Sequence, residues 1–133
     1  MDAATRAFVR ERAQRRCEYC RLPDEADEWP FHVEHIVARQ HGGMDDHENL
    51  CWACSRCNLH KGPNLVSVDP ETRRQAPLFN PRNQIWPDHF VLRNARIVGQ
   101  TEIGRATVRL LEMNSLRRVE LRRELISQNL FLP

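Results

Sequence analysis

Long apolar runs are missing from this chain of 133 residues. No stretch of about 18 consecutive apolar residues occurs, so the sequence predicts no membrane-spanning helix. The first 16 residues are charged throughout and lack the apolar segment of a signal peptide. We therefore expect a cytoplasmic protein. In that compartment thiols stay reduced, and paired cysteines more often bind metal than form disulfides.

Lysine is nearly absent, since Lys61 is the only lysine among 20 basic residues. Arginine favours bidentate contact with phosphate, although a bias in genome composition would produce the same usage. The charge is also unevenly spread: residues 1–16 carry a net +3, residues 17–62 a net −5 and residues 91–133 a net +4. An acidic centre suits a cation site, and basic flanks suit a polyanion such as DNA.

Internal repeats and low-complexity tracts are also missing, and a chain of this length corresponds to about one domain. We therefore predict a single domain over residues 1–133. Its core can be adequate but not large, so a structural metal would help it to fold.

Four of the five cysteines form two Cys-x2-Cys pairs, Cys17/Cys20 and Cys54/Cys57. A turn of this spacing lets two sulfurs reach one ion, and two such turns complete a tetrahedral Zn²⁺ site. We predict structural Zn²⁺ on these four residues, with disulfides or free thiols as the alternatives. Cys51 is most simply a small buried hydrophobe, and a ligand role is its alternative.

The 33 residues between the two pairs exceed the loop of a simple zinc finger, so this insert must itself be folded. Its pattern predicts a strand over residues 31–37, a loop over 38–48 and a short return strand over 49–52. Ser55 is the expected N-cap of a helix over residues 56–61, which Gly62 and Pro63 end. A helix over residues 3–16 precedes the first pair.

The C-terminal half begins with a proline-rich segment over residues 63–90, predicted as an ordered loop held by five apolar anchors, namely Leu78, Phe79, Ile85, Trp86 and Phe90. Short strands near 91–92 and 96–98 follow, then a helix over 102–112 capped by Thr101 and a last helix capped by Ser115. Four arginines lie mostly off the apolar face of that last helix, at positions Arg117, Arg118, Arg122 and Arg123. They predict either a solvated surface or a DNA-binding one.

The insert carries Glu34-His35-Ile36-Val37, then Asn49 fourteen residues after His35, then Asn58 nine residues later in Cys57-Asn58-Leu59-His60-Lys61-Gly62. Together with the cysteine pairs, this pattern resembles the HNH endonuclease family, or ββα-metal nucleases, over residues 17–62. The resemblance implies an α+β fold: a zinc-stapled ββα-metal core with helical extensions at residues 1–16 and 63–133.

The resemblance also implies roles for single residues. The histidine at position 35 activates a water molecule, Glu34 and Asn58 hold one catalytic divalent metal, and Asn49 ties down the loop and helps to orient His35. Two departures stand out: Glu34 occupies a position where aspartate is commoner, and Ala38 stands where proline often follows. Neither departure removes a functional atom.

Elementary chemistry agrees with these roles. A histidine can deprotonate water near neutral pH, and carboxylate and amide oxygens suit Mg²⁺ or Mn²⁺ rather than the thiolate-bound Zn²⁺. Strict strand alternation, however, puts Glu34 and His35 on opposite faces unless the strand ends or twists there. Lys61 and Arg39 are candidate phosphate contacts. His60 is a weaker candidate ligand, because an ideal helix turns it away from Asn58.

We therefore predict a metal-dependent endonuclease that hydrolyses DNA with His35 as general base. A zinc-stabilised nucleic-acid-binding module without catalysis is the alternative, and a protein-interaction domain that uses zinc only for folding is a third interpretation. The intact set of His35, Glu34 and Asn58 favours the enzyme, because a binding module does not need all three. The sequence leaves a homodimer open.

Overall fold

The computed structural model describes residues 1–133. Its helices and strands follow one another as α1 (Ala3–Arg12), β1 (His32–His35), β2 (Leu50–Ala53), α2 (Ser55–Lys61), β3 (Val66–Val68), β4 (Gln75–Pro77), α3 (Trp86–His89), β5 (Phe90–Arg93), β6 (Arg96–Gly99), α4 (Glu102–Leu110) and α5 (Leu116–Ser127). The strands form three antiparallel pairs, β1–β2, β3–β4 and β5–β6. None of the helices is long and apolar enough to cross a bilayer.

The unit β1–β2–α2 is the ββα core. The two strands pair with His35 opposite Leu50 and His32 opposite Ala53, and α2 follows β2 after the single residue Cys54. All four residues of β2 are buried, as expected for a strand covered on both faces. The α+β fold with a zinc-type cysteine cluster, predicted from the sequence, is confirmed.

The boundaries of α1 and α2 differ from the predicted ones, and α4 ends at Leu110 rather than at residue 112. The helix α1 ends at Arg12 rather than at residue 16, because Gln14 and Arg15 adopt left-handed backbone angles, with φ of 56° and 59°. At the start of α2, Ser55 was the expected N-cap, but Cys54 takes that position and its Sγ accepts a hydrogen bond from the Cys57 amide. A cysteine cap allows one residue both to begin the helix and to present its sulfur.

The proline-rich segment contains more regular structure than the predicted loop, since it includes the hairpin β3–β4 and the short helix α3. Of its five expected anchors, four are buried, but Ile85 is 64% exposed. The segment also bonds to the first cysteine turn. The Trp86 indole donates to the Tyr19 carbonyl oxygen at 2.8 Å, and Arg82 pairs with the buried Glu18 carboxylate.

The C-terminal elements follow the predicted order. The pair β5–β6 is formed, and the Thr101 hydroxyl caps α4 by accepting from the Gly104 amide at 3.0 Å. Ser115 precedes α5 but makes no side-chain cap bond. The prediction for the last helix is wrong at Arg118 and Arg122, because both are buried rather than presented to solvent or DNA.

Asp69 fixes the β3–β4 hairpin to α4. Its carboxylate has no exposed surface and accepts two hydrogen bonds from Arg105 at 2.9 Å. Further donors come from the Thr72 hydroxyl and the Glu71 amide. The Arg105 hydrogen bonds hold the pKa of Asp69 well below its usual range, although burial opposes them.

We predict that Asp69→Asn lowers the melting temperature by several degrees at pH 7. A carboxyl group with a depressed pKa stabilises the fold above its unfolded pKa of about 3.9, and this stabilisation is lost as the pH falls toward the folded value. The gap in melting temperature between variant and native protein should therefore narrow between pH 5 and pH 2. Glu71→Gln is the matched control, because Glu71 contacts the same arginine from an exposed position. A gap that stays constant with pH would contradict this account.

Candidate active site

The four cysteines of the two pairs meet at one point. Cys17 and Cys20 lie in a turn that closes through a bond from the Cys17 amide to the Leu22 carbonyl and a left-handed Arg21. Cys54 and Cys57 lie at the start of α2. All four sulfurs lie within 4.8 Å of one another, and all four residues are buried.

This geometry fits Zn²⁺. A tetrahedral site with bonds of about 2.3 Å separates its sulfurs by about 3.8 Å, and the Cys20 and Cys54 sulfurs are 3.8 Å apart. A disulfide needs about 2.05 Å, and none of the five cysteines forms one. Cys51 lies outside the cluster, where its thiol contacts Tyr19 and Glu34 in the interior.

Arg118 of α5 reaches this cluster from the far end of the chain. Its Nη2 lies 2.9 Å from Cys57 Sγ and 3.9 Å from Cys54 Sγ, and its Nη1 donates to the Leu111 carbonyl oxygen at 2.6 Å. Burial acts to lower the pKa of this guanidinium, but the neighbouring thiolates outweigh burial and raise it. Arg118 therefore supplies a buried positive charge beside a group of negative sulfurs.

A separate open pocket of about 490 Å³ collects the polar residues of the HNH pattern. Four of the residues named from the sequence line it: Glu34, His35, Arg39 and Asn58. The pocket lies beside the end of β1 and the C-terminal half of α2. Asn49, Lys61 and His60 do not line it.

His35 lies at the end of β1 with its side chain 19% exposed. Its Nε2 lies 2.7 Å from Asp45 Oδ1. Arg39 donates to both oxygens of the same carboxylate, at 3.0 and 3.1 Å. Asp45 was not among the residues predicted from the sequence. Its one sequence signal is the acidic pair Asp45-Asp46 that follows Gly42-Gly43 between His35 and Asn49.

Glu34 is 6% exposed but lines the same pocket as His35. The strand β1 ends at His35, which is the condition under which the two neighbours can share a site. Its Oε1 lies 3.1 Å from the Lys61 ammonium, and its Oε2 accepts a long hydrogen bond from the Cys51 thiol at 3.5 Å. Burial raises the pKa of Glu34, and the Lys61 charge acts against that rise.

Lys61 occupies the interior and is 2% exposed. Besides Glu34, its ammonium contacts the carbonyl oxygens of Ile36 at 3.0 Å and His35 at 3.4 Å. An ammonium has three donors, so these contacts leave none for a phosphate. The structure thus gives Lys61 a different place from the one expected: it joins the C-terminal end of α2 to the end of β1.

Asn49 holds the loop that follows β1. Its Oδ1 accepts from the Val37 amide, and its Nδ2 donates to the Val37 and Met44 carbonyl oxygens, all at 2.9 Å. Gly43 is required in this loop, because a Cβ there would stand 1.7 Å from the Val37 oxygen. The segment before Asp45 therefore rests directly on the segment after His35.

Asn58 and His60 lie on different sides of α2. Asn58 lines the pocket, and its backbone N–H donates to the Cys54 carbonyl oxygen at 2.9 Å. The His60 Nδ1 lies 3.0 Å from Glu112 Oε2, so this side chain faces the C-terminal half. The two residues are thus separated as the helical period predicts.

We predict that Cys54→Ser loses zinc and melting temperature together, whereas Cys51→Ser keeps about one Zn²⁺ per chain. Structural zinc contributes on the order of 10 kcal/mol to folding in small domains, and only Cys54 belongs to the four-sulfur cluster. Elemental analysis and thermal unfolding of the two variants measure the difference. Well-folded native protein with less than half a zinc per chain would contradict the assignment.

We predict that Arg118→Met weakens zinc binding by about 10-fold to 100-fold, the usual effect of removing a group that bonds to metal ligands. Arg118→Lys should restore part of the loss, because it returns the positive charge. Competition with a zinc-binding chelator measures the affinity. Arg117→Met is the control on the exposed neighbouring position, and equal affinities for the Arg118 and Arg117 methionine variants would refute the role.

Known proteins with similar sequences match the part of the chain that contains the pocket and the cysteine cluster. Residues 17–64 match the family model described as HNH endonuclease. A Septu protein PtuB from Bacillus thuringiensis is 26% identical over 118 residues, which cover 87% of this chain and 43% of that protein. This chain therefore spans less than half the length of that curated relative. No solved structure matches the chain significantly.

The matched segment contains both cysteine pairs and every residue of the pattern named from the sequence. It also contains the ββα core and most of the residues that line the pocket. The resemblance to the HNH family is therefore confirmed over residues 17–64, which match the HNH endonuclease model.

Proposed function

We propose that this protein is a metal-dependent endonuclease that hydrolyses DNA phosphodiester bonds with His35 as general base. The observation that carries the proposal is one pocket, within the HNH domain, lined by His35, Asn58, Glu34 and Arg39. These residues supply a base, two kinds of oxygen donor and a cation, which are the groups that phosphodiester hydrolysis requires.

His35 is suited to remove a proton from the attacking water. Its imidazole lies at the pocket, partly exposed, and one ring nitrogen is held by Asp45. A histidine in such a place contributes typically 100-fold to 10,000-fold as general base. No backbone or side-chain group bonds to Nδ1, so that nitrogen is free to meet a water molecule.

Asn58 and Glu34 are the residues that would hold Mg²⁺ or Mn²⁺. Amide and carboxylate oxygens are the ligands these hard cations prefer. A carboxylate can accept from several partners, so Glu34 can bind a cation in the pocket that it lines while it keeps its contact with Lys61. When bound, the cation would stabilise negative charge on the phosphoryl oxygens.

Arg39 is the residue best placed for the substrate phosphate. Its side chain is 69% exposed and lines the pocket, and a guanidinium binds phosphate in a bidentate manner. Lys61, the other candidate from the sequence, has its donors occupied in the interior. Of these two candidates, we therefore assign the contact with phosphate to Arg39 only.

DNA is the substrate we propose. The HNH domain supports a nucleic-acid substrate, and arginines remain exposed on both basic flanks, among them Arg6, Arg15, Arg117 and Arg123. Counterion release by such residues contributes most of the nonspecific affinity for a polyanion. Because Arg118 and Arg122 are buried, we assign no DNA contact to them.

The experiment compares His35→Ala with His32→Ala, the exposed histidine at the other end of the same strand. We expect His35→Ala to lower plasmid cleavage by about 100-fold to 10,000-fold while zinc content and DNA affinity stay near native. His32→Ala should cut at the native rate. Higher Mn²⁺ should partly restore cleavage to Asn58→Ala but not to His35→Ala.

Two results separate this proposal from its alternative. Native cleavage by His35→Ala would remove the general base from the mechanism. A native protein that binds DNA but never cuts it, with either Mg²⁺ or Mn²⁺, would instead identify a zinc-stabilised nucleic-acid-binding module.

A further inference from the structure

We propose that Asp45 is a positioning residue that fixes both the ring orientation and the tautomer of His35. This inference rests on the proposed function, since it assigns a partner to the histidine that acts as base. It begins from one contact: Asp45 Oδ1 lies 2.7 Å from His35 Nε2, a distance typical of a strong hydrogen bond to a charged acceptor.

The carboxyl group of Asp45 is ionised at neutral pH. The hydrogen bond from His35 and those from Arg39 lower its pKa. Arg39 uses two nitrogens on this carboxylate, with Nε at 3.2 Å and Nη2 at 3.0 Å from Oδ1. An ionised carboxylate is an acceptor only, so the proton in the short contact belongs to Nε2 of the histidine.

The tautomer follows from this acceptor. A neutral imidazole carries one proton, and placing it on Nε2 leaves the lone pair on Nδ1. No protein group bonds to Nδ1, so the basic nitrogen is the one left free. The assignment comes from the hydrogen-bond network around the ring. A base oriented by a third group is a recurrent arrangement in hydrolytic sites.

The loop that carries Asp45 is built to keep this contact. Asn49 bonds to Val37 on one side and to Met44, the residue before Asp45, on the other. Gly43 packs against the Val37 carbonyl so closely that no side chain fits. The backbone on both sides of the His35–Asp45 contact is thus held together by the same asparagine.

A contribution to stability does not explain why the loop holds Asp45 against His35. The Asp45 side chain is 57% exposed, and solvent screens exposed ion pairs so that they add little to stability. The effect of Asp45 should therefore be seen in the rate of the chemical step rather than in the free energy of unfolding.

In the chemical step, Nδ1 of His35 takes a proton from water, and the resulting hydroxide oxygen bonds to phosphorus. The phosphorus bond to the leaving oxygen breaks, and that oxygen takes a proton from solvent. The Asp45 carboxylate offsets the positive charge left on the ring.

The test uses Asp45→Asn and Asp45→Ala, with Asp46→Asn as the matched control on the adjacent exposed aspartate. We expect the Asp45 variants to lower kcat for plasmid cleavage by about 10-fold to 100-fold, the effect that removing its orienting partner has on a metal-bound histidine. KM for DNA, zinc content and melting temperature should stay near native. In a His35→Ala background, Asp45→Asn should have no further effect, because the two residues act as a unit.

A spectroscopic readout tests the tautomer without relying on activity. Long-range ¹H–¹⁵N correlation on histidine-labelled protein should show the Nε2–H form for His35, assigned by loss of its signals in His35→Ala. In Asp45→Ala this pattern should change toward a mixture of tautomers, and in Asp46→Asn it should not.

The failure of this inference differs from the failure of the proposed function. Equal kcat for the Asp45 and Asp46 variants, or an unchanged His35 tautomer in Asp45→Ala, overturns the positioning role even if His35 is the base. Unimpaired cleavage by His35→Ala overturns the proposed function instead.

Discussion

The structure depends on the meeting of four cysteine sulfurs at one point. This cluster joins the turn after α1 to the first turn of α2, and thereby fixes where β2 ends and α2 starts. The other end of α2 carries Lys61, whose ammonium bonds to the carbonyl oxygens of His35 and Ile36. The cysteine cluster therefore sets the position of His35, which we assign as base, although the cluster and His35 lie at opposite ends of α2.

The cluster also determines how the C-terminal half is attached. Arg118 places a buried positive charge against the sulfurs, and the Trp86 and Arg82 side chains bond to residues between Cys17 and Cys20. Removing one member of a buried charged pair costs about 3–5 kcal/mol, because the other is left uncompensated. These contacts therefore specify one arrangement of the two halves. They extend the folded structure well beyond the residues that match the HNH family.

Features set by local sequence were predictable. The cysteine spacing predicted the four-sulfur cluster, the Thr101 cap predicted the start of α4, and the alternation after Phe31 predicted β1. The partners of charged residues were not predictable, because they depend on long-range packing. Arg118 lies on the polar side of its helix in sequence, yet its neighbour Cys57 is distant along the chain. Lys61 and Glu34 similarly face each other only once β1 and α2 have packed.

In the candidate site, too, some residues could be predicted from the sequence and others could not. His35, Asn49 and Asn58 could be selected through the resemblance to the HNH family, and the structure puts His35 and Asn58 at one pocket and Asn49 in the loop beside it. Asp45 could not be distinguished from Asp46 by sequence, since both are exposed acids in a glycine-containing loop. Only the path of that loop, set by Gly43 and Asn49, directs one of them at His35.

Metal-dependent cleavage by the native protein tests the central claim most directly. Zinc-loaded protein, freed of other divalent ions, is incubated with supercoiled plasmid in buffer alone and with added Mg²⁺ or Mn²⁺. Zinc content and DNA binding are measured in parallel. We predict no cleavage in buffer alone and cleavage after either addition, at constant zinc content. DNA that is bound but left intact under every condition would contradict the account.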